Sequence, residues 1–260
     1  MNLEKTARYF DLSDKVILIT GGTRGLGLTM ANAFADAGAD LVISSRKQEA
    51  CAQVAEKIKA ETGVRCVGTP CHVADWDACD RLIEVALGEF GKIDVLVNNA
   101  GMSPPYGRLT EVSRELFDKV LGVNLAGPFR LSALVGEHMV EQGGGSIINI
   151  SSTAAAMPTA NEIPYAAAKA GLQNLTTGIA QSYGPTVRCN CIMPGPFMTD
   201  ISKAWDMTQM KTLFEQRIPL QRAGDAREIV GAALYLASDA SSYTNGAVIK
   251  IDGGLSYSAS

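Results

Sequence analysis

The chain has 260 residues, 47% hydrophobic and 19% charged, with 23 basic against 27 acidic side chains for a formal net charge of −4. That length and apolar content suffice for a full buried core and exclude a disordered chain. The mildly acidic balance, without runs of like charge, excludes an electrostatic footprint for nucleic acid or an anionic membrane surface. The expected partners are a small molecule and further copies of the chain.

Charges interrupt the first ten residues, so no secretory signal is visible, and no apolar run approaches the ~18 residues of a membrane span. Six cysteines without a CxxC pair imply reduced thiols and a cytoplasmic setting. Cys71, His72 and Cys79 lack a second pair at zinc spacing, so no metal site is expected.

Short apolar runs alternate with segments of helical period. A strand at 16–20 leads to a helix over 25–37, and a strand at 41–44 leads to a helix over 48–62, with Ala52, Ala55 and Ile58 on one face. The unit repeats as 64–69 with 76–90 and as 95–98 with a helix over 113–138. Segments 146–150, 165–183, 187–193, 225–236 and 248–251 complete the series. Strands as apolar as Val-Ile-Leu-Ile fit burial on both faces, so the expected fold is α/β: a doubly wound, seven-stranded, mostly parallel sheet with helices on both sides. No linker or long repeat divides residues 1–260, which reads as a single domain. The irregular stretch 194–222 reads as a substrate loop carrying a short helix. Its Phe197, Met198, Trp205, Met207 and Met210 suit a pocket wall, loop-helix core or an oligomer contact.

The first strand ends in Thr20-Gly21-Gly22-Thr23-Arg24-Gly25-Leu26-Gly27, running straight into a helix. Gly21 permits a sharp turn, Gly25 lets backbone N–H groups approach a pyrophosphate, and Gly27 allows close packing of helix on sheet. Thr23, Arg24 and Leu26 complete this dinucleotide turn, whose helix N-terminus would face the anion. The second strand ends at Ser45-Arg46 without the carboxylate that an NAD ribose prefers. Arg24 and Arg46, with Ser45, suit a 2′-phosphate, so NADP(H) is favoured and NAD(H) stays open.

Tyr165-Ala-Ala-Ala-Lys169 places a phenol and an ammonium at i and i+4 on one helix face. A nearby cation favours phenolate and lowers the phenol's pKa, which suits proton exchange with a carbonyl or alcohol. Ser151-Ser152-Thr153 follows the strand at 146–150, and Asn98-Asn99-Ala100-Gly101 closes the strand at 95–98. In doubly wound sheets, ligands bind beyond these carboxyl ends.

Together with Asn124 in Gly-Val-Asn-Leu and with Pro194-Gly195, these motifs resemble the short-chain dehydrogenase/reductase family across essentially the whole chain. The resemblance implies a Rossmann-type sheet with Tyr165 as the acid/base and Lys169 lowering its pKa and holding the nicotinamide ribose. It further implies that Ser152 bonds the carbonyl and Asn124 anchors a water in a proton relay. Ser152, thirteen residues before Tyr165, matches the family serine better than Ser151 does. By the same resemblance, Asn99 and Ala100 line the adenosine, Phe197 and Thr199 after Pro194-Gly195 fix the nicotinamide amide, and Asp252-Gly253-Gly254 is the closing motif. His72 stands before Val73 where the family commonly has an aspartate, which leaves the adenine to backbone groups, with His72 and Val73 as walls. The family also implies a homotetramer. The expected activity is NADP(H)-dependent hydride transfer between nicotinamide and a carbonyl or secondary alcohol. A non-catalytic dinucleotide sensor on the same fold is the alternative, disfavoured because all four catalytic positions are filled. Oxoacyl thioesters, hydroxysteroids, sugar acids and small ketones remain open as substrates.

Overall fold

The structure, a computed structural model, describes residues 7–199 and 207–256. Seven strands, β1 (Val16–Thr20), β2 (Asp40–Ser45), β3 (Cys66–Pro70), β4 (Val95–Asn98), β5 (Gly145–Ile150), β6 (Val187–Pro194) and β9 (Val248–Ile251), form one sheet in the order β3-β2-β1-β4-β5-β6-β9. Every neighbouring pair is parallel. A separate two-residue pairing joins β7 (Phe197–Met198) to β8 (Gly224–Asp225).

The period of two along each strand divides the core between the two faces. Ile17, Ile19, Leu41 and Ile43 face one way, packing with Met30 and Phe34 of α1 (Gly25–Asp36), with Ala55 and Ile58 of α2 (Gln48–Thr62), and with α8 (Val230–Ala237) through Leu236. Leu18, Val42 and Leu96 face the other way, against Leu82 of α3 (Trp76–Phe90), Leu131 of α5 (Gly127–Glu141) and Ile179 of α6 (Ile163–Tyr183). Helices thus cover both faces, which is why the strands are apolar throughout. Local signals set the helix ends: the Asp75 carboxylate accepts from Ala78 N at 3.2 Å, and Gly63 and Gly91 close α2 and α3 at φ of 79° and 75°.

The structure differs from the sequence expectation over 113–138. There α4 (Arg114–Leu121) and α5 are joined by a π-turn at Gly122–Ala126, and Pro128 in the first turn of α5 has no N–H to donate. The wider turn leaves carbonyls without backbone donors, and the Asn124 side chain takes up Val120 O at 2.9 Å. Smaller shifts also occur. Segment 225–236 opens with a 3-10 turn at Ala226–Ile229 before α8, and the third strand begins at Cys66, two residues later than its apolar pattern suggests. The loop's short helix is α7 (Met207–Arg217).

Two aspects of the sheet position the site. The chain winds outward from β1 to β3 and then crosses back to β4, so the connections after β1 and β4 diverge and leave a crevice at their carboxyl ends. Behind it, Asn98 Nδ2 donates to Asn149 Oδ1 and Ser132 Oγ, both at 2.9 Å, and Asn149 Nδ2 donates to Thr176 Oγ1 at 2.9 Å. This buried chain ties α5 and α6 to the centre of the sheet. Among the described residues, no helix is long and apolar enough to cross a membrane.

Replacing Asn149 by Leu keeps the branched shape, adds bulk, and removes one bond each from Asn98 and Thr176. Stability should fall by about 3 kcal/mol, read as a lower urea midpoint at unchanged slope.

Candidate active site

The residues singled out in the sequence lie after β1 to β6, in the π-turn and on α6, and contacts through Asn99 and Gly101 bring the glycine turn, Asn124 and Lys169 together. After β1, Gly21 and Gly25 adopt φ of 65° and 54°, in the left-handed region. A Cβ on Gly27 would lie 2.3 Å from Gly21 O and 2.4 Å from Asn99 Nδ2, so the turn closes tightly on α1. Asn99 holds that turn from across the crevice, its Nδ2 donating to Thr20 O at 2.9 Å and Gly21 O at 3.1 Å. The Thr20 hydroxyl in return accepts from Asn99 N and Ala100 N, both at 3.1 Å. Thr199 approaches from the far side, with its Cβ 3.7 Å from where a Cβ on Gly25 would stand. Thr23 and Leu26 are half-buried on the turn.

This backbone-lined hollow at a helix N-terminus fits a dinucleotide's pyrophosphate. At the end of β2, Ser45 Oγ lies 3.2 Å from Cys51 Sγ, and Arg46 is exposed, as is Arg24. Neither guanidinium has an ion pair or hydrogen bond among the described residues. His72 is half-buried in the turn after β3, and Val73 is buried, its carbonyl so close to Gly127 that a Cβ there would stand 2.2 Å away.

Lys169 and Tyr165 lie on consecutive turns of α6, with Lys169 Nζ 5.8 Å from the Tyr165 ring centre. The Lys169 ammonium is buried and donates to Ile150 O at 2.7 Å. Asn124, also buried, donates to Met102 O at 2.8 Å and accepts from Met102 N at 3.2 Å. A Cβ on Gly101 would stand 3.1 Å from Asn124 Oδ1 and 3.6 Å from Lys169 Nζ, so Asn124 and Lys169 flank one glycine. The two serines after β5 part company. Ser151 continues the sheet ladder to Ile192 O and turns its hydroxyl inward to Lys169 O at 3.1 Å. Ser152 caps the following turn, accepting from Ala154 N at 3.2 Å, and its hydroxyl acts on the Tyr165 phenol.

Pro194 ends β6, and Gly195 donates to Ile251 O at 3.0 Å. The Asp252 carboxylate accepts from Gly254 N, Ser256 N and Ser256 Oγ, and Leu220 N bonds Gly253 O, so the closing motif buttresses the returning end of the loop.

A family model described as enoyl-(acyl carrier protein) reductase matches residues 21–256. This chain belongs to the short-chain dehydrogenase/reductase family. Dehydrogenase/reductase SDR family member 4 of Oryctolagus cuniculus is 35% identical over 245 residues, covering 94% of each chain. The L-rhamnose 1-dehydrogenase (NAD(P)(+)) of Azotobacter vinelandii is 37% identical over 252 residues, covering 94% of this chain and 97% of that one. A solved gluconate 5-dehydrogenase from Burkholderia cenocepacia, in complex with NADP and tartrate, superposes with a TM-score of 0.92 at 34% identity, covering 97% of this chain and 99% of that one.

Several expectations for this dehydrogenase/reductase need revision. The expected lowering of the Tyr165 pKa is absent: burial raises it, Ser152 pulls it back, and the Glu162 carboxylate adds to the rise. Lys169 is not among the groups that act on the phenol; its ammonium donates to Ile150 O. Of the loop's apolar residues, Phe197 is buried against Gly224, whose added Cβ would stand 2.7 Å from the Phe197 ring. Met210 packs with Phe214, Ile218 and Ala223, and Met198 is exposed. Trp205 and the Met207 side chain lie outside the described residues. Sequence reasoning passed over the cleft residues Tyr106 and Glu162. Glu162, the N-cap of α6 three residues before Tyr165, had a detectable spacing signal; Tyr106, over fifty residues from its partners, had none.

Burial pushes the Lys169 ammonium from the ordinary 10.5 down to about 8. Between these values the unfolded chain binds the proton that the folded one releases, so the stability contributed through Lys169 rises with pH across that window and is lost as pH falls through 8. Without cofactor, the stability of the wild type relative to Lys169→Met should improve by about 3 kcal/mol over that range. A pH-independent difference in denaturant midpoints would show that the ammonium is not desolvated.

Proposed function

We propose that this chain is an NADP(H)-dependent oxidoreductase interconverting a carbonyl compound and a secondary alcohol, with Tyr165 as the general acid/base and residues 1–260 acting as one dinucleotide-binding and catalytic domain. The observation that carries the reading is the convergence of Ser152, Tyr165, Lys169 and Asn124 on the crevice that the glycine turn opens. Bound NADP(H) would supply or accept the hydride.

The chain's own groups do the rest. Gly21, Gly25 and Gly27 admit the pyrophosphate to the N-terminus of α1, and Asn99 and Ala100 wall the adenosine side. Ser152 Oγ and Tyr165 Oη meet the carbonyl oxygen and stabilise the charge that develops on it. The raised pKa keeps Tyr165 protonated at neutral pH, the form that donates to an alkoxide. Lys169, near 8, is mostly charged at pH 7 and is the group placed to return a proton toward Tyr165, while Asn124, across Gly101 from it, would anchor a water of that relay.

Preference for NADP(H) rests on Arg24 and Arg46, exposed and without an ion pair among the described residues, and on Ser45 in place of an acid. The solved gluconate 5-dehydrogenase holds NADP. A homotetramer and a cytoplasmic setting come with the family resemblance.

Tyr165→Phe should lower turnover by about a thousand-fold while leaving NADPH affinity nearly unchanged; substantial residual turnover would sink the acid/base role, and a wild type that binds NADPH but turns over no carbonyl or alcohol would point to a sensor. Arg46→Asp should lower the NADP-over-NAD affinity ratio by about a hundred-fold. An unchanged ratio would remove the case for a 2′-phosphate site.

A further inference from the structure

Beside Tyr165 lies a cleft whose apolar walls include Pro104, Leu116, Val120 and Pro164. Among the described residues lining it, Glu162 alone carries a charge. Tyr106 is already committed, its hydroxyl donating to Ala160 O at 2.8 Å and accepting from Ile163 N at 2.9 Å. Those two bonds pin the chain on either side of Glu162 and hold it at the cleft. The half-buried Glu162 carboxylate accepts from Thr159 Oγ1 at 3.0 Å and has no ion pair among the described residues. Lys169 turns its ammonium inward to Ile150 O and does not neutralise it.

Glu162 stands at the rim of the cleft, where its hydrogen bond to Thr159 is exposed, and as the one charge among the described lining residues it acts on whatever enters, subject to screening by salt. We propose that Glu162 determines specificity: the cleft favours a carbonyl or alcohol substrate bearing an ammonium group and rejects one bearing a carboxylate. The proposal rests on the assignment of Tyr165 as the reacting group, because it is Tyr165 that places the substrate beside Glu162. The influence of Glu162 on the phenol's titration agrees with that proximity. Discrimination by a like charge is repulsive as well as attractive, so both ends of a charge series should respond.

The test uses ketones of equal length ending in an ammonium, a hydroxyl or a carboxylate. They are ranked by kcat/KM with NADPH, and by Kd from calorimetry on the cofactor-loaded enzyme. Wild type should rank them ammonium, hydroxyl, carboxylate, with about tenfold between the ends, a gap that added salt narrows. Glu162→Gln should collapse the ratio toward one. An acid at the start of α6 also favours the helix, yet losing that role would move all three ketones together and leave the ratio intact. A wild type that binds or turns over the carboxylate ketone as well as the ammonium ketone overturns the proposal, as does an unchanged ratio in Glu162→Gln. Turnover surviving in Tyr165→Phe with the ranking intact would overturn the mechanism and leave the role of Glu162 standing.

Discussion

Asn99 reaches across the divide between β1 and β4 and donates to the Thr20 and Gly21 carbonyls, while the Thr20 hydroxyl accepts the Asn99 and Ala100 amides. These bonds lock together two strand ends whose following segments leave in opposite directions. The turn they hold is so close to α1 that any side chain at position 27 would overlap Gly21 O. A backbone-lined hollow at a helix N-terminus results, of the kind that suits an anion. Because all seven sheet strands run parallel, Ser152, Tyr165 and Gly195 reach the same edge as that hollow. The Asn98–Asn149–Thr176 chain keeps α6 registered to it.

Burial acts on the two central titratable groups in opposite directions. It raises the Tyr165 phenol and lowers the Lys169 ammonium, so both are driven toward their neutral forms. A proton shared by such a pair is held loosely by the lysine and firmly by the tyrosine. The i, i+4 spacing suggested the reverse for tyrosine, since a cation one turn away favours phenolate. Burial overrides spacing here, since desolvation is the largest influence on the phenol.

The alternation of apolar strands and helical segments, the seven strands and the glycine turn were legible because each depends on residues close in sequence. The π-turn was not: it arises where Gly122, Asn124 and Pro128 interrupt a continuous helical pattern, and the Asn124 side chain supplies a bond that the backbone no longer makes. Apolar residues in 194–222 were equally compatible with a pocket wall or a core. Phe197 went to the core, where the bare backbone of Gly224 leaves room for its ring, and Met210 packs in a separate small cluster with Phe214, Ile218 and Ala223.

The sequence by itself determined the class of fold, the glycine turn and the identities of the groups around the crevice, since periodicity, glycine positions and motif order are properties of contiguous residues. Tertiary structure alone decided how those groups face and titrate. It turned Ser151 inward and left Ser152 beside the phenol, committed Lys169 to a carbonyl nineteen residues away, and set Glu162 into the cleft through Tyr106. Burial and through-space distance govern hydroxyl orientation and pKa, and neither exists until segments far apart in the chain have packed together.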